Sequence, residues 1–208
     1  MVRSPDFKRS VGVIAGVITI LEFIPYIYSI LKGHTKPERA TWFIWSVVTV
    51  IEFSSYYFSS EGGTAIWVSL SYMISASVIA ALSVKYGVGG WNLLDRFIII
   101  ACGGVLLVWY FSGSAIITLG AVLLIDLLAA LPTIRKTYYH PETEDRLAWV
   151  MSLSGNGLTL LAIPAFTFAD AAYPIYLFLM VAVVTELVLR PRHRRHRHEH
   201  KLAEAGRV

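Results

Sequence analysis

Residues 21–45 read LEFIPYIYSILKGHTKPERATWFIW. An apolar run is interrupted by Pro25, gives way to a basic loop, and resumes as a second apolar run entered through Trp42. The layout recurs 107 positions later in residues 128–152, LAALPTIRKTYYHPETEDRLAWVMS. Pro25 falls on Pro132, Ile27 on Ile134, Glu38 on Asp145, Arg39 on Arg146 and Trp42 on Trp149. Gap-free agreement of such residues at one offset, at the same place in the hydropathy pattern, predicts an internal repeat.

The whole chain has the composition this stretch suggests. Of 208 residues, 56% are hydrophobic and only 15% charged, and the mean hydropathy is +0.61. That is too apolar for an ordinary water-soluble domain. Apolar runs lie near 11–32, 41–58, 64–84, 96–113, 115–138, 147–168 and 172–189. Each approaches the ~20 residues a helix needs to cross ~30 Å of hydrocarbon. The expected fold is an all-α membrane protein with seven transmembrane helices. Turn and polar residues at 33–37, 61–63, 87–90 and 141–145 separate the runs, and the count hangs most on the short break at 112–114. The first run follows Lys8 and Arg9 but contains Glu22 and Pro25 and lacks a small-residue cleavage pattern, so it reads as a retained span. The lone cysteine, Cys102, leaves no intramolecular disulfide and no cysteine metal cluster.

Lys and Arg distribution sets the expected orientation, because basic loops are retained on the cytoplasmic side. With the N-terminus outside, Lys32, Lys36, Arg39, Lys85, Arg96, Arg135, Lys136, Arg146 and seven residues of the tail fall inside, against Arg3, Lys8 and Arg9 outside. A bacterial cell membrane is the expected location. Three helices reverse the chain, so a fourth must intervene before a second triplet can repeat in parallel. The reading is therefore 3+1+3: residues 1–95 a first three-helix repeat, 96–114 a linker helix, 115–190 the second repeat, and 191–208 a basic disordered cytoplasmic tail. The tail suits contact with anionic lipid headgroups, and His193, His196, His198 and His200 among its arginines make a poor metal site.

A proline in the first helix of each repeat, a basic loop and a Trp-led second helix resemble the PQ-loop superfamily, which includes the SWEET sugar transporters and the lysosomal amino-acid exporters. The resemblance covers most of the chain as architecture, with Pro25-Tyr26 and Pro132-Thr133 standing where the family has Pro-Gln. It implies transport of a small solute. The sugar carriers' paired asparagines have no counterpart: the third helix offers Ser71, Ser75 and Ser77, and the seventh has no asparagine. Trp42 to Trp45, WFIW, is similar to the W-x-x-W motif of the nicotinamide riboside transporters, which keeps a nucleoside or vitamin substrate open.

No hydrolase, phosphate-binding or dinucleotide fingerprint is present, so no enzyme, catalytic residue, cofactor or metal is expected. The informative residues are carboxylates within the runs: Glu22, Glu52, Asp126 and Glu186. Insertion charges roughly 2.5–3.5 kcal/mol for an Asp at a helix centre, so such groups face a bundle interior or a watery cavity. Glu22 and Asp126 are read as proton-coupling residues, with buried structural hydrogen bonds the alternative. Glu186, one turn before Arg190, is read as its structural partner. Trp45, Thr49, Glu52 and Tyr56 share one helical face, and the first three map onto Ser152, Asn156 and Thr159, also one face. These six repeat-related residues are the expected substrate-binding set, with interhelical hydrogen bonding the alternative. Pro25 and Pro132 should kink their helices and hinge an inner gate. Glu38 and Arg39, with Asp145 and Arg146, are expected as solvated loop charges, with matched ion pairs the alternative. The function expected is alternating-access movement of a small polar solute. The other class left open is a non-transporting seven-helix receptor or scaffold. Membrane lipids are the remaining partner, nucleic acid is not one, and homo-oligomerisation stays open.

Overall fold

The structure is a computed structural model and describes residues 5–58, 65–90, 93–112, 115–163 and 165–190. The histidine-rich tail, the whole turn at 61–63 and two residues of the break at 112–114 lie outside the described residues. The protein is all-helical, with no strand among the described residues. The helices are α1 (Pro5–Leu21), α2 (Phe23–Leu31), α3 (Arg39–Phe58), α4 (Ala65–Tyr86), α5 (Leu93–Ser112), α6 (Ala115–Tyr139), α7 (Arg146–Ala162) and α8 (Phe168–Leu189). A 3-10 turn, Pro141–Thr143, precedes α7. Each helix lies on an apolar run. The run expected over 147–168 is cut short because Ile163 leaves the helical region at φ −52°, ψ 122°, as a residue before proline tends to.

Three helical stretches are long and apolar enough to cross a membrane among the described residues: Asp6–Leu31, Ser69–Tyr86 and Asp170–Leu189. The surface is apolar well beyond these. Val13, Ile14 and Val17 on α1, Phe97, Ile100, Leu107 and Phe111 on α5, and Leu179 and Val183 on α8 are exposed. Thr19, Ser29, Thr41, Thr133, Thr137, Ser152, Asn156 and Thr185 are buried. Water-soluble proteins reverse this distribution and rarely leave large contiguous apolar patches exposed.

The helices form a ring in which α4 lies against α1, α2 and α3, and α8 lies against α6 and α7. The two groups meet twice, through α1 and α2 on α7 and through α3 on α6, while α5 packs on α6 and touches α3. The α2–α3, α4–α5 and α6–α7 connections gather at one end of the bundle. There the Lys36 amide donates to the Thr143 carbonyl at 2.9 Å, and the Val88 amide to the Pro37 carbonyl at 2.9 Å.

Capping sets where helices begin and end at this loop face. Glu38 accepts from the Thr41 amide at 3.0 Å and Asp145 from the Ala148 amide at 2.8 Å, each holding an otherwise unpaired donor of the first turn. This corrects the expectation of solvated or ion-paired charges. Glu38 is buried, and Arg39 donates to the Ser83 and Gly89 carbonyls instead. α2 ends in a left-handed Gly33, φ 75°, with the His34 amide reaching back to the Ser29 carbonyl. At the C-terminal end of α8, Arg190 lies over the Tyr138 ring at 5.6 Å, and no ion pair to Glu186 forms.

Each proline removes one rung from its helical ladder. Pro25 has no amide hydrogen to offer the Leu21 carbonyl, and the α1–α2 boundary falls at Glu22, whose backbone stays helical and whose amide donates to the Ile18 carbonyl at 3.0 Å. Pro132 lies inside α6. Next to the carbonyl that Pro132 frees, the Ala129 carbonyl receives the Thr41 hydroxyl at 2.6 Å, and Thr133 donates to Thr41 at 3.0 Å. This chain braces α6 against α3 where its own ladder is weakest.

The α1–α7 seam depends on Gly155. A Cβ there would stand 2.4 Å from Thr19 Cγ2 and 3.3 Å from the Ala15 carbonyl oxygen, whereas one at Gly16 would meet nothing within 4 Å. Gly155→Val should therefore lower stability by about 1–3 kcal/mol, the usual range for overpacking. Thermal unfolding in detergent, with Gly16→Ala as a control that leaves the melting temperature unchanged or slightly raised, checks this.

Candidate functional site

Where the two helix groups face each other they enclose a cavity of about 260 Å³. Glu22 lies at the α1–α2 junction, three residues before Pro25 and in helical conformation (φ −59°, ψ −28°), and its side chain lines the cavity. α3 contributes Trp42, Trp45, Val48 and Thr49, and α7 contributes Ala148, Trp149, Ser152 and Asn156, so each helix presents one face at spacings of three and four. Asp126 enters from α6, Tyr72 and Ala76 from α4, and Tyr173, Leu177 and Met180 from α8.

Of the expected binding residues, Trp45, Thr49, Ser152 and Asn156 line this space together with Glu22 and Asp126. Thr159 does not. It lies one turn beyond Asn156, and its hydroxyl is bound to the Gly155 carbonyl at 3.0 Å. The side chain of Glu52 lies outside the described residues. α4 lines the cavity with Tyr72 and Ala76, not with Ser71, Ser75 or Ser77; Ser77 instead joins Ser46 at 3.1 Å across the α3–α4 seam. Pro25 stands near the cavity without lining it. Pro132 lines a second pocket of about 230 Å³ at the loop end, with Glu38, Asp95, Arg135 and Lys136.

Polar atoms in the cavity fall into two kinds. Thr49 donates to the Trp45 carbonyl at 2.9 Å and Asn156 Nδ2 to the Ser152 carbonyl at 2.9 Å, so both donors are spent on their own helices. Tyr176 donates to Asp126 Oδ2 at 2.9 Å and holds that carboxylate in place. In contrast, Glu22 Oε2, Trp42 Nε1 and Trp45 Nε1 are buried with no hydrogen bond. Aromatic rings supply the walls: Trp42 stands 5.2 Å from both Tyr26 and Trp45, edge-on to the latter, and Phe23 meets Tyr72 edge-on at 5.6 Å.

The loop end of the cavity is shut. Trp42 and Trp149, each three residues into its helix, and Tyr26 are all buried there. Glu144, from the α6–α7 loop, ties them down: Oε2 accepts from Tyr26 Oη at 3.0 Å and from Trp149 Nε1 at 2.8 Å, while Oε1 pairs with Lys136. Lys136 also donates to the Lys36 carbonyl at 2.6 Å. One carboxylate thus joins α2, α6, α7 and, through Lys136, the α2–α3 loop.

Sequence reading missed Tyr26, Tyr176 and Glu144 as site residues. It had Trp42 and Trp149 as a repeat pair without placing them in the site. Their shared offset was the available signal, whereas Glu144 maps onto Pro37 and carries none. Among the described residues no cluster of His, Cys, Asp or Glu could hold a metal. Compared with known proteins, the chain matches no family profile, no curated protein and no solved structure.

Removing one partner of a buried, hydrogen-bonded ion pair strands the other charge, a loss of about 3–5 kcal/mol. Glu144→Ala should lower the melting temperature accordingly. Glu142→Ala, whose carboxylate is 43% exposed and faces His140, should shift stability by no more than about 0.5 kcal/mol. Thermal unfolding of both variants tests the contrast.

At the loop face, burial pushes the Glu38 carboxyl above its usual range, with nearby Asp95 adding to the shift and the Thr41 amide and Lys136 opposing it. The folded chain then holds this proton more tightly than the unfolded one. Glu38's share of stability is fully present at acid pH, falls as pH rises from about 4.5 toward the folded value, and is level above it. Glu38→Gln keeps an oxygen for the Thr41 amide and should flatten that slope in melting temperature measured against pH.

Proposed function

We propose that this protein is a seven-span membrane transporter that moves a small polar solute by alternating access, with the central cavity as its solute site. The observation that carries the reading is the cavity itself: residues from both helix groups converge on one central space with aromatic walls that holds Glu22, Asp126, Ser152 and Asn156. Ligand sites in repeat-built transporters lie where the repeats meet. A scaffold built from the same helices has no need of such a space.

Two further observations favour the 3+1+3 plan resembling the PQ-loop superfamily. Contacts of α1 and α2 with α4, α3 with α4, and α1 and α2 with α7 are mirrored by α6 with α8, α7 with α8, and α6 with α3. α5 stands apart from this pairing, as a linker does. The acidic caps Glu38 and Asp145, the helix starts at Arg39 and Arg146, and the cavity residues Trp42 and Trp149 all fall at the 107-residue offset. With the basic loops inside, the gathered loop end is the cytoplasmic face and the N-terminus is outside.

In this reading Glu144, Tyr26, Trp149 and Lys136 form the closed inner gate, and Pro25, by removing one rung of the helical ladder, gives α2 a joint about which to swing. Glu22 and Asp126 are the groups that load and release the coupling proton. Ser152→Cys in a Cys102→Ala background, reconstituted in vesicles, tests the reading with a membrane-impermeant maleimide. The expected result is labelling from the outer side, moved toward the cytoplasmic side by adding Glu144→Gln, which weakens the gate. Ser152→Cys that stays unlabelled from both sides in both backgrounds defeats the proposal. Coupling is checked separately: Glu22→Gln and Asp126→Asn should abolish the pH dependence of solute flux.

A further inference from the structure

The geometry points to a small organic cation bearing a hydrogen-bond acceptor as the solute that the central cavity takes. The inference rests on the transport reading and goes beyond it by naming the chemistry of the cargo. It starts from what the cavity lacks. Glu22 and Asp126 both reach it, yet no Lys, Arg or His is among its lining residues. The nearest cation of the gate, Lys136, is already paired with Glu144 and bound to the Lys36 carbonyl. A carboxylate away from water needs a partner charge or several donors. Asp126 has the Tyr176 hydroxyl, while Glu22 Oε2 has no hydrogen bond.

The walls supply the second half of the case. Rings of Tyr26, Trp42, Trp45, Tyr72 and Trp149 line the space, and ring faces attract a cation most when it is desolvated. A neutral polyol would need donors and acceptors in alternation. Here the amide of Asn156 and the hydroxyl of Thr49 are committed to their own helices, leaving the cavity short of free donors. Besides the Ser152 hydroxyl, which faces Glu22, two indole N–H groups stand apart. Trp42 is only 6% exposed and its Nε1 has no hydrogen bond; Trp45 Nε1 is likewise buried and without one. Unpaired donors beside a carboxylate suit a ligand that presents a positive group to the acid and an oxygen to the indoles.

The test uses the full chain in detergent, with cavity tryptophan fluorescence and melting temperature as readouts. The probes are choline and N-methylpyridinium, each against its uncharged isostere, 3,3-dimethylbutan-1-ol and toluene, with glucose as a neutral polyol. The cations should give saturable fluorescence changes and raise the melting temperature, and their isosteres should bind at least tenfold more weakly. Glu22→Gln and Asp126→Asn should each weaken cation binding tenfold or more, and Trp45→Phe should weaken choline more than N-methylpyridinium, which has no oxygen for the indole. Equal binding of cations and isosteres, or unchanged cation affinity in both carboxamide variants, overturns the assignment. Saturation by glucose with no response to the cations also overturns it and leaves the cavity as a solute site. Silence toward every probe, together with a Ser152→Cys that cannot be labelled, removes the transport reading as well.

Discussion

A buried carboxylate must find donors or a cation, and in this protein that constraint shapes both the closed end of the cavity and its interior. Glu144 meets it completely. Two ring donors and one ammonium converge on its two oxygens, and the groups that supply them come from three different helices. Because each contact is made only when those helices are together, the carboxylate converts their separate positions into one joined floor. Losing Glu144 would leave the Trp149 indole buried without its partner, so these contacts support one another.

Glu22 and Asp126 meet the same constraint only in part. Asp126 accepts from Tyr176, and one oxygen of Glu22 has no hydrogen bond. The satisfied carboxylate at the floor thus contrasts with Glu22 above it, one of whose oxygens is unpaired. Thr41, Thr133 and Ala129 close a hydrogen-bonded seam between α3 and α6, and Thr185 bonds the Trp149 carbonyl at 3.1 Å between α8 and α7. Such interhelical bonds contribute about 0.6 kcal/mol each in a membrane, enough collectively to fix the helices around the cavity without filling it.

The helices before and after α5 are alike in layout and unlike in detail. Pro25 and Pro132 fall at the same 107-residue offset. Only α6 is braced beside the carbonyl its proline frees, by a threonine from α3. Glu144 has Pro37 as its counterpart, so the floor is fastened from one side only.

Helix content, the positions of the apolar runs and the 107-residue offset were legible in the residues themselves, because hydropathy over a span and the placement of Pro, Trp and acidic caps are local properties. The face carrying Trp45, Thr49, Ser152 and Asn156 was legible for the same reason, since three- and four-residue spacing alone puts side chains on one side of a helix. Only the tertiary structure decided that Thr159 lies beyond the cavity, that Glu38 is a buried cap, that α6 survives its proline, and that Glu144 fastens the floor. Each of those outcomes depends on which atom of a distant helix arrives within hydrogen-bonding distance. Spacing along the chain carries no information about that, because Tyr26 and Glu144 meet across 118 residues.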